Sequence, residues 1–258
     1  MKNKTAKQIV NSYRVKCVLI ALGYLLTLGV LILVMSKNAL VGIAGIVVLG
    51  VSLRAPFEKI RETDLESVIY EDLDPDKFGE IVEMTRLKKS DRHTTLFYMS
   101  KGRHEDILKY IEEKDAKAFH PVDKCNNLYR EGYVYFERGE YEKLRKVVQK
   151  YERLKKENPK IAYVLANFTV FDKFDAFADD DFEYVVDVCD IDLNENNSKK
   201  QNHKLTRINV GFYRAVSLYK LGKLDEARAG FEDIIAFAPK MYKAKLSKEF
   251  IDLIDKEK

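Results

Sequence analysis

Four histidines, three cysteines and several closely spaced carboxylates are the residues of this chain that could do chemistry. His104-Glu105 opens like the HExxH of a zinc protease, which needs a second imidazole one helical turn later. Leu108 stands there instead. His93, His104, His120 and His203 fall singly on polar stretches, without the spacing of metal ligands. Asp190, Asp192, Asn194 and Asn196 alternate like the early ligands of a helix-loop-helix calcium site. Glu195 takes the place of its turn Gly, however, and Gln201 that of its final bidentate Glu. That run reads as a solvated loop, and Asp179-Asp180-Asp181 as a helix start, where carboxylates suit the dipole. Phosphate loops (GxxxxGK(S/T), GxGxxG) and the GxSxG nucleophile elbow are absent. Cys17, Cys125 and Cys189 lie far apart and suggest free thiols in a reducing compartment. Nothing here implies an enzyme, a cofactor, a metal or a small-molecule substrate.

The elements that would position any site begin with two uncharged runs. Cys17 to Met35 holds no charge and no Pro, and Ala39 to Leu53 follows after Ser36, Lys37 and Asn38. As helices they measure about 28 Å and about 22 Å, against a hydrocarbon core of about 30 Å. Lys37, Asn38 or Arg54 must snorkel at the ends of the shorter one. Both runs are apolar all round, which favours a transmembrane hairpin over a hairpin buried in a soluble core. A cleaved signal peptide fits less well, because no small-x-small site follows and a second span does.

Charge orients the hairpin. Lys2, Lys4, Lys7, Arg14 and Lys16 precede the first span, Arg54, Lys59 and Arg61 follow the second, and the turn holds only Lys37. Basic residues collect on the cytoplasmic side, so both ends are expected there, at the inner membrane of a bacterium. The bias towards Lys over Arg, 32 to 13, agrees with an AT-rich bacterial source. Beyond residue 53 the chain has 39 basic and 41 acidic residues, a balance that argues against a nucleic-acid partner. The lipid bilayer is the first partner implied.

Residues 1–16 read as a basic tail whose Ile9, Val10 and Tyr13 could lie on the interface, 17–53 as the hairpin, 54–88 as a helical connector, and 89–258 as a repeat domain. Asp74-Pro75 has the form of a capped helix start. Beyond it, helical apolar stripes alternate with breaks at Gly102, Gly139 and Gly222, with no alternating strand pattern. Residues 133–152 align with 216–235 on Gly139 and Gly222.

On Gly132, Tyr135, Gly139, Tyr141, Leu144, Val148 and Pro159, and on Ala215, Leu218, Gly222, Leu224, Ala227, Phe231 and Pro239, the chain resembles the tetratricopeptide repeat family. That family repeats a helix pair in about 34 residues. Leu144 and Tyr151 depart from it where small residues are usual. The resemblance implies an all-α fold: a transmembrane hairpin followed by a tetratricopeptide-like α-solenoid, with an irregular helical bundle as the alternative. It also implies a concave groove for an unidentified protein partner, faced by Tyr129, Tyr133, Phe136, Phe212, Tyr219 and Lys220. These aromatics could instead fill space between helices. Tyr129 and Tyr133 occupy the places of the Lys and Asn with which some members clamp a C-terminal carboxylate, which disfavours a chaperone tail. Lys243, Lys245 and Lys248 could meet anionic lipid. The expected role is a membrane-anchored scaffold; the alternative is a small accessory or immunity-type membrane protein acting through its hairpin.

Three Asn-x-Ser/Thr sequons, at Asn3, Asn167 and Asn196, sit on the two ends expected to be cytoplasmic. Expressed in a glycosylating host, the chain should gain no glycan; a glycosidase-sensitive mass shift would reverse the orientation.

Overall fold

A computed structural model describes residues 4–115, 118, 120–166, 168–195 and 203–257; the side chains of Glu195 and His203 are not described. The three sequon asparagines and Gln201 lie outside them. Described residues are helical and contain no strand. Two compact units are present, Met1–His93 and Thr94–Lys258.

In the first unit Thr5 caps helix α1 (Ala6–Met35), accepting from the Gln8 amide while Gln8 returns a bond to Thr5. Asn38 caps α2 (Ala39–Ser52), its side chain accepting from the Val41 amide. The two helices run antiparallel, and Gly42 and Gly45 let α2 close onto Met35 and Leu31 of α1. Gly23 has no such neighbour, and Thr27 bonds within its own helix, to the Gly23 carbonyl at 2.9 Å. The outer surface stays uncovered: Leu26, Leu33, Leu40 and Val51 are 70–82% exposed. Both helical stretches, Ala6–Met35 and the run beginning at Ala39, are long and apolar enough to cross a membrane.

Helix continues through α3 (Arg54–Ile60), a π-helical turn (Arg61–Glu66) and α4 (Ser67–Tyr70). Pro56 has no N–H to offer the carbonyl four residues back, that of Ser52. The Tyr24 hydroxyl donates to that carbonyl at 3.0 Å. The neighbouring helix thus gives that carbonyl the partner the proline cannot. Asp74 caps α5 (Pro75–Met84) through the Lys77 amide at 3.1 Å, with Pro75 in its first turn.

Residues 4–16 and 54–88, read from sequence as a tail and a connector, both contribute to the first unit. Ala6, Ile9 and Val10 of α1 are buried with Leu65, Val68, Ile69, Phe78, Ile81 and Val82, forming a small core. Ile9 and Val10 therefore pack against α5 and the π turn instead of lying on the interface. Lys16 Nζ bonds Asp64 at 2.7 Å, and Arg14 donates to the Met84 carbonyl at 3.1 Å.

The division between units falls within α6 (Asp91–Lys101). The second unit contains α7 (His104–Asp115), α8 (Pro121–Glu137), α9 (Tyr141–Glu157), the short α10 (Ala162–Leu165), α11 (Val170–Ala178), α12 (Phe182–Glu195), α13 (His203–Lys220), α14 (Leu224–Phe237) and α15 (Tyr242–Glu257). Apart from the short α10, each helix from α7 onward packs on the next. Some have one buried stripe, such as Leu144, Val147, Val148, Tyr151 and Leu154 of α9, whereas α13 is buried on several sides, Ile208, Val210, Phe212 and Tyr213 among them. Gly132 allows α8 against α11, since a Cβ there would stand 2.7 Å from the Phe174 ring. Ala215 and Gly230 do the same for α13 and α14.

Gly102, Gly139 and Gly222 have φ of 65°, 67° and 72° and end α6, α8 and α13 identically. In each turn the glycine amide and the next amide bond back three and five residues, as in a Schellman cap. A fourth turn, between α11 and α12, places Asp180 in the glycine position at φ 58°, with the Asp181 amide on the Ala176 carbonyl. The four turns recur roughly every 40 residues, longer than the family's period of about 34. Asp181 accepts from the Tyr184 amide at 3.2 Å, so the acidic run does start a helix. Left-handed backbone costs a side-chain-bearing residue about 1–2 kcal/mol. Asp180→Gly should therefore raise urea stability by about 1 kcal/mol, measured by circular dichroism of the full chain in detergent.

Candidate functional site

Helical spacing sets Tyr129, Tyr133 and Phe136 along one side of α8. On α13, Phe212 and Tyr219 are two turns apart. The fold brings three of the six predicted groove residues together, and brings them inside. Tyr133, Phe136 and Phe212 are 3%, 3% and 1% exposed. Phe136 stands edge-on to Phe212 at 6.3 Å and to Tyr213 at 4.6 Å, and Phe174 and Phe177 join the same cluster. These three side chains are core, because α13 and α11 bury the face of α8 that an open solenoid would present. Tyr129 is half-buried, and burial pushes its hydroxyl up to about 12. Tyr219 is partly exposed and donates to Glu257 at 2.5 Å; Lys220 is exposed, 5.8 Å from the Tyr141 ring centre.

An ionic centre occupies the middle of the cluster. Lys243, only 3% exposed, puts Nζ 2.8 Å from Glu137 Oε1. Lys243 thus lies in the core, away from lipid, because α15 points it at Glu137 and the rings. Its ammonium lies 4.3 Å from the Phe212 ring centre and 4.8 Å from that of Tyr133. The other carboxylate oxygen, Oε2, lies 2.6 Å from His104 Nε2; a carboxylate only accepts, so this nitrogen carries a proton. Burial alone would push Glu137 up. The Lys243 charge and hydrogen bonds from His104, Lys243 and Tyr133 outweigh it and hold the carboxyl below its ordinary value. Desolvation pulls Lys243 down, since one carboxylate replaces its water shell. Tyr133 is pushed well up by burial and by Glu137.

This centre joins α7, α8 and α15. The Tyr242 ring also packs edge-on to His104 at 5.4 Å and covers Gly102. The last helix therefore returns to the first ones and closes the module. Its chemistry is that of a neutralised charge cluster, with Lys243 and Glu137 both enclosed.

Other sequence candidates have structural duties. Glu105 pairs with Arg138 at 2.5 Å, and His104 serves Glu137. Asp190 and Asp192 lie on α12 instead of in a loop, bound to Arg214 at 2.6 Å and Lys173 at 2.8 Å; Asn196 and Gln201 fall outside the described residues. Burial raises the Cys125 and Cys189 thiols to about 12, which makes both poor nucleophiles. Among the described residues no group of three or more His, Cys, Asp or Glu could hold a metal.

Sequence reasoning missed the His104–Glu137–Lys243 centre. A usable signal existed: Lys243, Ser247 and Ile254 lie on one stripe of α15 and are all buried. A lysine at an apolar stripe position needs a carboxylate on a facing helix.

Lys243→Met should destabilise the full chain by about 3–5 kcal/mol, because it strands a buried carboxylate. Adding Glu137→Gln should restore most of the loss in the same urea titration. A folded pKa below the unfolded one gives stability above about pH 4.3 that is lost as pH falls through the folded value. The double variant should show a shallower acid limb than the wild type. No family model, curated protein or solved structure matches this chain, so its function rests on this geometry alone.

Proposed function

We propose that this protein is a membrane-anchored adaptor: a two-helix transmembrane hairpin holding a tetratricopeptide-like helical module at the cytoplasmic face, where it binds a protein partner. One observation carries the reading. The hairpin's apolar side chains are uncovered while the second unit has a complete core of its own. A surface of that kind, on helices long enough to cross a bilayer, supports lipid as its surroundings. The basic residues flanking the apolar runs favour a cytoplasmic location for both ends. Tethering confines the module to the membrane plane and raises its effective concentration for other membrane components.

Because Tyr133, Phe136 and Phe212 fill the core, the partner surface is an outer one. Tyr219, partly exposed, and Lys220, exposed, are the two predicted residues that remain candidates for it. The alternative, a hairpin that is itself the acting part, draws less support, since Gly42 and Gly45 are engaged within the hairpin.

Two measurements on the full chain test this. Carbonate washing should leave it in the membrane pellet, and release into the supernatant would remove the anchor. A photo-crosslinking residue at Tyr219 or Lys220 should give a discrete adduct in cells, absent when the same probe replaces buried Phe212. No adduct at either surface position would sink the adaptor reading while leaving the anchor intact.

A further inference from the structure

Within the first unit, beside the start of the first span, lies an open cleft of about 610 Å³. Arg14 and Cys17 of α1 form one wall, Arg61 and Leu65 of the π turn another, and Arg86 and Leu87 a third. Three guanidinium groups line it, and among the described lining residues none is a carboxylate. Arg61 is balanced by Glu66, its Nε 2.9 Å from Oε1. Arg14 spends one nitrogen on the Met84 carbonyl, and Arg86 has no ion pair among the described residues. His93, on the same rim, has both ring nitrogens engaged, by Ser90 at 2.7 Å and Glu66 at 2.9 Å.

Two arginine charges thus remain uncompensated over a floor of Leu65 and Leu87. Guanidinium forks match phosphate oxygens two at a time. Arg14 and Cys17 are one helical turn apart, where α1 passes from its charged end to its uncharged run. In a membrane that is the depth of the lipid phosphates, and basic clefts beside cytoplasmic span ends suit anionic headgroups.

We propose that this cleft binds the phosphate-bearing headgroup of an anionic phospholipid, with Arg14 and Arg86 as its main ligands and the leucines against its glycerol end. The inference rests on the membrane reading. Free phosphate shares the ligand chemistry but has no use for the apolar floor or for the cleft's depth.

Native mass spectrometry of the full chain released from detergent, titrated with phosphatidylglycerol or phosphatidylcholine, tests it. Phosphatidylglycerol should bind preferentially. Arg14→Gln and Arg86→Gln should each weaken it about fivefold, while Lys88→Gln plus Lys89→Gln should leave it unchanged. Circular dichroism confirms that each variant is folded, and Arg86→Lys, which keeps charge but loses the fork, should fall between. Equal binding of the two lipids, or equal loss in the lysine control, would overturn the site. Displacement of the lipid by millimolar inorganic phosphate would assign the cleft to a free anion and overturn the lipid source. Either failure in a chain that still resists carbonate would leave the membrane anchor standing, so the two readings fail separately.

Discussion

Beyond Val10, most apolar side chains of α1 and α2 are left uncovered by the described residues, and the rest of the first unit answers to that constraint. Leu26, Leu33, Leu40 and Val51 face outward, while glycines at 42 and 45 bring the two helices together. In such a setting each backbone carbonyl needs a partner from within the protein. Pro56 removes one donor, and Tyr24 of the neighbouring helix supplies another. The hairpin is therefore a matched pair, with Pro56 marking where the second helix leaves its apolar stretch.

Below the hairpin the same economy recurs in a mixed environment. Lys16 of α1 is neutralised by Asp64, and Arg61 of the π turn by Glu66. Arg14 and Arg86 are left over, and they meet at one cleft. In the second unit the economy is stricter because water is excluded. Lys243 and Glu137 are both enclosed, and each is tolerated only because the other, with His104, satisfies it. Apolar residues of similar volume could fill such a place with no loss of stability. The ion pair instead fixes which turn of α15 meets α8, since a register shift would bury both charges alone.

Much of the architecture was legible in the residues. Uncharged runs of sufficient length marked the two apolar helices, Asp74-Pro75 marked the start of α5, and Gly102, Gly139 and Gly222 marked three helix ends. These are local properties, set by hydrogen-bond spacing and by the one residue that takes positive φ without strain. Asp180 escaped notice because a side-chain-bearing residue stands where glycine normally would. The six predicted site residues were less legible. The family resemblance implied that Tyr133, Phe136 and Phe212 face a groove, but an apolar stripe looks alike whether it lines a groove or a core.

By itself the sequence determined most of the helical segments, which of them lack charge, three of the turns, and that basic residues gather around the apolar runs. Only the tertiary structure decided what each apolar stripe faces, that the last helix closes back on the first ones, and that Lys243 is an interior residue. The physical reason is range. Caps, turns and helical periodicity depend on neighbours within a few residues, whereas burial and ion pairing depend on partners such as Glu137 and Lys243, 106 residues apart, which meet only when the module closes.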